Sequence, residues 1–413
     1  MTEQKNYYLY FNIQIKMRNY FICILFLSLL KLFGQDNYCR NKIFNTDYQL
    51  KIISSKNKTE TNSTLYIPVV FHVVYNAAIE NIHDTLLIKQ LNQLNKDFKR
   101  LNSDTVNTPL PFKSLAAGMD IQFCFASTTP SATPTNGIDR VFTTKTFFNA
   151  PPNYVILDSL KHSNLGGADA WNTAKYLNIW IGNVTNLSGY AAPPGNMMVS
   201  EDGVGVNYKT LGTINSTLPY NKFRTITHET GHFFGLKHIW GDDGGTCAGT
   251  DFMADTPNQA NFTPGSITNT CNIFPLFDAC TPAGNGIMFM NFMDYTNDDC
   301  RNMFTIAQVN YMGAVINALR TGFLTTTAAD CYVATGMDLQ GEKKSGFSIF
   351  PNPANEIINI KTDMLIKEIK IRDIIGNEIV SATFTNQLNI KILEAGIYFI
   401  YADDFTPVKF IKL

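Results

Sequence analysis

The sequence predicts a domain of mixed α-helices and β-strands, followed by a small all-β sandwich. Residues 66–75 read YIPVVFHVVY, a β-branched and aromatic run that is typical of a buried strand. Leucine and phenylalanine then recur at helical spacing over residues 84–101, with Asp84 placed to cap the helix. From Phe347 onward, short alternating strands lie between turns, as in a β-sandwich.

The middle of the chain adds further regular elements and one irregular segment. Strands are predicted at residues 121–126 and 176–182, and helices at 224–239 and 305–319. The segment 241–302 is rich in Gly, Asn, Asp, Thr and Pro and holds four cysteines. A loop of this length is usually functional or cross-linked. The four cysteines are Cys247, Cys271, Cys280 and Cys300. Because no CxxC spacing occurs, disulfides are favoured over a zinc-thiolate site, and the three ways of pairing stay open.

Composition excludes several classes of protein. The chain has 413 residues, of which 45% are hydrophobic and 16% charged, so it is not a mostly disordered protein. With 33 Lys and Arg against 34 Asp and Glu, it has no overall basic field to hold a nucleic acid. No apolar run of about 18 residues follows residue 40, so no transmembrane anchor is expected in the mature chain.

The N-terminus has the features of a secretory signal. Residues 20–30 form a short apolar run preceded by Lys16 and Arg18, and we assign residues 1–35 as a signal peptide. Met17, just before the basic flank, is an alternative start. The polar segment 36–63 then reads as a leader of propeptide type. Export makes disulfides permissible.

The motif HETGHFFGLKH, which begins at His228, carries the chemistry. On a helix, His228 and His232 lie on one face and direct two imidazoles to one point. Gly235 can end the helix so that His238 supplies a third nitrogen. Three histidines leave the fourth position of a zinc ion open for water, and Glu229 is placed to take a proton from that water. The extended motif is a strong signal for a zinc hydrolase.

Two other functions fit parts of this pattern. A catalytically silent surface module could keep the zinc helix for structure alone, but a structural site has no need of Glu229 and would recruit a fourth protein ligand. A zinc hydrolase of small amides is a further alternative. An edge strand near residues 189–193 argues against it, because such a strand can pair with an extended peptide. We therefore predict a zinc endopeptidase acting on proteins or peptides.

Several segments of the sequence resemble those of the pappalysin family of metzincins, close to the bacterial ulilysin type. The words IPVVFHVVY, GGADAWNTAKYLNIWIGN, RTITHETGHFFGLKHIWGD, DFMADTPNQ and MFMNFMDYTNDDCRNMF cover about residues 65–320. The resemblance implies an α+β metzincin-type catalytic domain with a mixed twisted sheet, long helices and an irregular C-terminal subdomain stapled by disulfides. Met293 matches the methionine of the Met-turn, and Tyr295 the tyrosine that approaches the zinc or stabilises the oxyanion. Phe223 departs from the family, which commonly has Gly there.

The resemblance also implies features of the irregular segment. It points to calcium in the acidic loop that holds Asp242 and Asp243, with Asp251, Asp255 and Thr256 as ligands; a solvated acidic loop is the alternative. It pairs Cys247 with Cys280, and Cys271 with Cys300.

The resemblance suggests a preference for Arg next to the cut bond. Asp299, on the loop that leaves the Met-turn, is the candidate partner of that Arg, with Asp298 as its alternative. Both carboxylates could instead face water or help to bind calcium.

Cys39 in the leader has two readings of equal weight. It could occupy the open zinc position and keep a zymogen latent, as the family can do, since a thiolate is a good zinc ligand. Alternatively, it could form a disulfide with Cys124 or Cys331.

The end of the chain resembles the C-terminal sorting domain of the type IX secretion system. The words FPNPANEIINI, IIGNEIV, LEAGIYFIYA and VKFIKL carry this resemblance over about residues 345–413. We therefore predict a catalytic domain at 64–325, a linker at 326–346 and a sorting sandwich at 347–413. The expected partners are substrates and the type IX machinery, and the expected location is outside the cell or on its surface.

Overall fold

The computed structural model of the chain contains two compact units, residues 1–333 and 334–413. Within them it describes residues 64–151, 156–191, 194–195, 198–212, 219–265, 271–332, 347–362, 366–373, 377–383, 385–402 and 407–413. The predicted signal peptide and leader lie outside the described residues.

A mixed six-stranded sheet forms the centre of the first unit. Its strands are β1 (Leu65–Tyr75), β3 (Ile121–Phe125), β4 (Ile138–Phe142), β6 (Leu177–Gly182), β8 (Gly189–Ala191) and β9 (Val204–Asn207). The order is β3-β1-β6-β9-β8, and β4 pairs with the second half of β1. All pairings are parallel except that of β8, which runs antiparallel to β9 at the edge of the sheet.

Helices pack on this sheet because each has an apolar face. They are α1 (Asp84–Phe98), α2 (Leu110–Lys113), α3 (Arg224–Phe233) and α4 (Ile306–Leu319). In α1, Leu87, Leu91, Leu94 and Phe98 are buried on one side. The N-cap of α1 is His83, whose Nδ1 accepts from the Thr85 N–H, so the expected cap at Asp84 lies one residue too late.

Short elements complete the first unit. Paired two-residue strands are β2 (Ala116–Ala117) with β10 (Phe304–Thr305), and β5 (Phe148–Asn149) with β7 (Val184–Thr185). Single 3₁₀ turns occupy Ala78–Glu80, Ser103–Asn107, Ser159–Lys161, Ser163–Leu165, Val199–Glu201, Tyr208–Thr210, Thr321–Thr325 and Ala328–Asp330. Residues 326–332, assigned to the linker from sequence, bond to the first unit: the Tyr332 N–H donates to the Phe125 carbonyl.

Among the described residues of the first unit, three disulfides cross-link the chain. The structure pairs Cys247 with Cys280 and Cys271 with Cys300, which are the pairs that the resemblance implies. A third bond joins Cys124 to Cys331 across 207 residues of sequence. Since Cys124 and Cys331 bond to each other, neither is available to Cys39.

The second unit consists of two antiparallel sheets around one apolar core. The first sheet has the order β11-β12-β15, with strands Ser348–Phe350, Ile357–Lys361 and Gln387–Asn389. The second has the order β14-β13-β16-β17, with strands Glu378–Thr383, Glu368–Asp373, Gly396–Ala402 and Val408–Lys412. Alternate residues such as Ile358, Ile369 and Phe410 are fully buried between them. The predicted fold class, a mixed domain followed by an all-β domain, is confirmed.

Candidate active site

Helix α3 carries the first two histidines and then stops. It ends at Phe233, six residues before the predicted end, because Gly235 adopts a left-handed conformation (φ 91°). The Gly235 N–H donates to the His232 carbonyl and the Leu236 N–H to the Gly231 carbonyl, which closes the helix end. The chain therefore turns back toward the helix, and His238 reaches the same point as His228 and His232.

Three imidazoles converge there. The Nε2 atom of His232 lies 3.1 Å from Nε2 of His228 and 3.1 Å from Nε2 of His238. Each Nδ1 faces an acceptor on the opposite side: the Phe292 carbonyl for His228 (2.7 Å), the Leu236 carbonyl for His232 (2.8 Å) and the Asp242 carboxylate for His238 (2.8 Å). Nδ1 therefore carries the proton on each ring, and each Nε2 lone pair points at a common centre. Such outer partners are typical of histidines that bind a metal.

Burial favours the neutral imidazoles that metal binding requires. All three residues are at most 2% exposed. Burial, and then the other histidines, hold the pKa of His228 well below its usual range. The same two effects lower the pKa of His232 to about 3. Among the described residues, these three form the one group of three or more His, Cys, Asp or Glu side chains whose ligand atoms all lie within 4.8 Å of one another.

Glu229 lies against the edge strand of the sheet. Its side chain is 1% exposed and, together with that of His228, lines a pocket beside the histidines. A Cβ atom on Gly189 of β8 would come within 2.8 Å of Cγ and Oε1 of Glu229. The backbone of β8 therefore passes directly over the carboxylate, and only glycine fits at that point.

The last part of the irregular segment supplies the underside and one wall of the site. Met293 is fully buried, and a Cβ atom on Gly231 of α3 would lie 2.5 Å from its Sδ atom. Tyr295 reaches the histidines themselves, with its hydroxyl 3.1 Å from Nε2 of His238. The Tyr220 hydroxyl donates to the Tyr295 carbonyl (2.7 Å), which holds this loop in place.

The contact between Gly231 and Met293 makes a testable prediction. Gly231→Ala should lower the free energy of unfolding by about 1–3 kcal/mol, because the added methyl overpacks a closed site. Gly313→Ala is the matched control: it lies inside α4, and its Cβ would meet only the Cε atom of Met119, at 3.9 Å. That change should raise stability by roughly 0.5–1 kcal/mol through helix propensity. Denaturant unfolding of both variants measures the difference; equal shifts would refute the contact.

A buried ion-pair network fixes the start of α3. The Arg224 guanidinium contacts the Asp97 carboxylate of α1 (3.0 Å) and both oxygens of Asp104 (3.0 and 3.1 Å). It also donates to the carbonyls of Asp298 and Arg301. Phe223, just before the helix, has φ 69°, in the left-handed region that glycine adopts most easily. That conformation explains why glycine suits this position in the family.

The pocket beside Glu229 is a narrow cleft between α3, β8 and the loop that follows the Met-turn. Its lining residues are Ser188, Tyr220, Thr225, His228, Glu229, Tyr295 and Arg301. Neither Asp298 nor Asp299 is among them. The Asp298 carboxylate is buried and pairs with Arg301, whereas Asp299 pairs with Lys222 (2.8 Å) near the surface.

The acidic loop uses its carboxylates in different ways. Asp242 accepts from His238, and Asp243 accepts from the N–H groups of its own turn. Asp251 is buried, accepts from the Thr256 hydroxyl (2.8 Å), and has its pKa raised to about 6 by that burial. Asp255 accepts from the Thr305 hydroxyl and the Ala307 N–H, and so caps α4. Of the three predicted calcium ligands, Asp251 and Thr256 therefore lie together, whereas Asp255 bonds to the start of α4.

Comparison with known proteins agrees with this geometry. The family profile of pregnancy-associated plasma protein-A, peptidase M43, matches residues 162–317. The structure of mature mirolysin from Tannerella forsythia in complex with a cleaved peptide is 44% identical, with a TM-score of 0.62. The match covers 66% of this chain and all of mirolysin. The chain belongs to the pappalysin family.

Other relatives agree with membership of the pappalysin family. A promirolysin mutant from Tannerella forsythia is 44% identical over 67% of this chain and 89% of its own, with a TM-score of 0.62. An extracellular metalloprotease of Arthroderma benhamiae is 27% identical over 62% of this chain and 79% of its own length. The chain is thus a pappalysin-type zinc metalloendopeptidase with the metzincin fold, as the sequence predicted.

A second profile identifies the end of this pappalysin. The secretion-system C-terminal sorting domain matches residues 348–412, which confirms the predicted sorting tail. The protein is secreted or displayed at the cell surface. None of the helices in the described part of the chain is long and apolar enough to cross a membrane.

Sequence reasoning missed some residues of this pappalysin site. Asp242 was grouped with the calcium loop, although its position four residues after His238 could have marked it as that histidine's partner. Arg301 was not singled out, because an Arg in an irregular loop has no periodic signal to say that it is buried. Gly231 and Gly189 were missed because their role is to leave room for side chains distant in sequence.

Proposed function

We propose that the chain cleaves peptide bonds in extracellular proteins with His228, His232 and His238 as zinc ligands and Glu229 as general base. The convergence of three Nε2 atoms beside a buried carboxylate is the observation that carries this proposal. The residues fit zinc well, since each imidazole is buried and oriented through Nδ1.

The side chains divide the work of the reaction. A bound zinc ion supplies Lewis-acid activation of the water and of the scissile carbonyl. Glu229 takes the proton from the attacking water and delivers it to the leaving amine. Tyr295 places its hydroxyl 3.1 Å from Nε2 of His238, where it can donate to the oxyanion that develops on the carbonyl. Met293 supports the histidines from below.

The edge strand β8 is suited to hold an extended peptide. It runs antiparallel to β9 at the end of the sheet, and its Gly189 touches Glu229. A peptide that adds to this edge would place its backbone beside the general base. This arrangement favours a peptidase over a hydrolase of small amides.

We extend the proposal to calcium at Asp251 and Thr256. A buried carboxylate whose pKa is raised by burial gains from a nearby cation, and Asp and Thr offer the oxygen ligands that calcium prefers. Asp255 contributes to the start of α4 instead.

Removing the metals and adding them back one at a time distinguishes the proposed roles of zinc and calcium. We expect the metal-free chain to be inactive and Zn²⁺ alone to restore cleavage of a denatured protein. Ca²⁺ alone should raise the melting temperature without restoring cleavage, because a ligand of the folded state stabilises it. Asp251→Asn should remove the calcium effect and keep the zinc effect. Cleavage by the metal-free chain would contradict the proposed mechanism. A melting temperature that does not change with Ca²⁺ would exclude the proposed calcium site.

Latency through Cys39 is proposed as well. Cys39 lies outside the described residues, and the Cys124–Cys331 bond favours a free Cys39 over the rival disulfides. The uncleaved Cys39→Ala chain should be active without maturation, whereas the uncleaved parent should be silent. A variant as silent as its parent would exclude the switch.

A further inference from the structure

A buried lysine lies behind the edge strand β8. Lys161 is fully buried, and its ammonium donates to the Glu201 carbonyl (2.8 Å) and lies 3.7 Å from the Asp158 carboxylate. Its Nζ atom is 4.9 Å from the ring centre of Trp180 on β6 and 5.1 Å from that of Tyr190 on β8. A buried ammonium is costly unless charges and hydrogen bonds compensate it. The proposed mechanism gives this lysine no role.

The acidic groups around Lys161 are as deeply buried as the lysine itself. Asp158 and Glu201 are at most 1% exposed. The Asp158 N–H donates to Oε1 of Glu201 (2.9 Å), and Nε2 of His162 lies 2.7 Å from the same oxygen. Burial lowers the pKa of the Lys161 ammonium, whereas the nearby charges of Asp158 and Glu201 raise it. Lys161 is therefore the centre of an ionic cluster that is closed to water.

Tyr190 joins this cluster to β8. Its hydroxyl donates to Oδ2 of Asp158 (2.7 Å). Its ring covers Gly205 of the neighbouring strand β9, where a Cβ atom would come within 2.4 Å of the tyrosine Cζ atom. Because side chains alternate between the two faces of a strand, Tyr190 is directed away from the face on which Gly189 touches Glu229. The cluster therefore holds β8 from the side opposite the general base.

The turn that contains Glu201 is also tied to the zinc helix. Asp202, the next residue, pairs with the Arg320 guanidinium through two hydrogen bonds (2.7 and 3.0 Å). Nε of Arg320 donates in turn to the carbonyl of Phe233 (2.7 Å), the last residue of α3. A continuous series of contacts therefore connects β8 to the end of the helix that carries His228 and His232.

Resting on the proposed function, we propose that Lys161, Asp158 and Tyr190 form a positioning cluster, which holds β8 over Glu229 where an extended substrate peptide can pair with it. The cluster orders β8 before the peptide arrives, so less of the binding free energy is lost to ordering the strand. Fixing the backbone of a single residue costs enough free energy to change an affinity by about tenfold. The cluster acts through the strand and not on the reacting bond.

The first test compares the active, zinc-loaded chain with its Tyr190→Phe variant, which loses the hydroxyl but keeps the ring over Gly205. For an extended peptide substrate, we expect KM to rise about 10-fold with kcat nearly unchanged, because binding of the whole peptide is weakened. The inhibition constant of acetohydroxamate should stay the same, since this small compound binds the zinc and is too short to pair with β8. Damage to the zinc site would instead change kcat and the inhibition constant.

Two further variants assign the effect to the cluster. Lys161→Met combined with Asp158→Asn removes both charges of the buried pair, so it leaves neither of them uncompensated, and it should raise KM at least as much as Tyr190→Phe. Tyr176→Phe is the matched control, because it removes a tyrosine hydroxyl that donates to the Thr128 carbonyl (3.0 Å), outside the cluster. It should leave KM unchanged.

Hydrogen exchange followed by mass spectrometry reports on β8 directly. Exchange at residues 189–191 should be faster in both cluster variants than in the parent chain and in Tyr176→Phe. The inference is overturned by an unchanged KM in the cluster variants, by an equal rise of KM in Tyr176→Phe, or by unchanged exchange at β8.

Peptide binding to the zinc-loaded Glu229→Ala chain separates this inference from the proposed function. If the parent cleaves nothing, but adding Tyr190→Phe to Glu229→Ala weakens peptide binding about 10-fold, the proposed function fails and the positioning role stands. Equal binding with and without Tyr190→Phe would overturn the positioning role, whether or not the parent cleaves peptides.

Discussion

Glu229→Gln is expected to lower kcat/KM for peptide cleavage by about 10²–10⁴-fold, since an amide cannot act as the general base. The amide has nearly the same shape as the carboxylate, so it fits under β8, where a Cβ atom on Gly189 would lie only 2.8 Å from the Glu229 side chain. Zinc content and melting temperature should stay close to those of the parent, because Glu229 is a base and not a ligand.

Zinc content distinguishes this outcome from a structural role. A His232→Ala chain should lose both zinc and activity, because His232 provides the central Nε2 of the three. If Glu229→Gln also lost its zinc, or if it kept the parent's turnover, Glu229 would have to be removed from the proposed mechanism. Inductively coupled plasma mass spectrometry on the purified variants gives the metal content directly.

Arg224→Met is expected to lower the free energy of unfolding by about 3–5 kcal/mol, because it leaves the buried Asp97 carboxylate without its cation. The Asp97 side chain is fully buried, 3.0 Å from the Arg224 guanidinium. The substituted methionine fills much of the same space, so the loss reports on charge more than on volume. Urea unfolding followed by fluorescence measures it.

The surface ion pair of Arg140 provides the matched control. Arg140 pairs with Asp84, and both side chains are about a third exposed. Arg140→Met should therefore cost at most about 1 kcal/mol. Adding Asp97→Asn to Arg224→Met should recover part of the loss, since it removes the uncompensated charge. A double variant no more stable than Arg224→Met alone would show that the Asp97 charge is not the cause.

The regular parts of this protein could be predicted because their patterns are local. Strand β1 is marked by a run of ten residues that are all β-branched or aromatic apart from Pro68 and His72, and the zinc helix by the spacing of His228 and His232. The range 224–239 placed the helix end six residues too late because apolar residues continue through Ile239, but the stop that the motif predicts at Gly235 is observed, with that glycine in a left-handed turn. Capping by His83 was missed because histidine is not among the usual capping residues.

The irregular segment could not be predicted in the same way. The role of each carboxylate depends on a partner that is distant in sequence. Asp255 accepts a hydrogen bond from the Thr305 hydroxyl, and Asp298 accepts from the backbone N–H groups of Lys222 and Arg224. No periodicity links such residues, so sequence alone chose Asp299 and kept Asp298 as its alternative. Their difference in burial, one inside an ion pair and the other near the surface, exists only once the chain is folded.

The Cys124–Cys331 bond should increase the resistance of the first unit to proteolysis. A secreted peptidase is exposed to copies of itself, and digestion usually starts where a chain end can fray. Here Cys331 lies near the C-terminal end of the first unit, and its disulfide joins it to Cys124 on β3, the strand beside β1. A chain end created by a cut after Cys331 would stay bonded to β3, so the disulfide limits fraying from that end to the residues beyond Cys331.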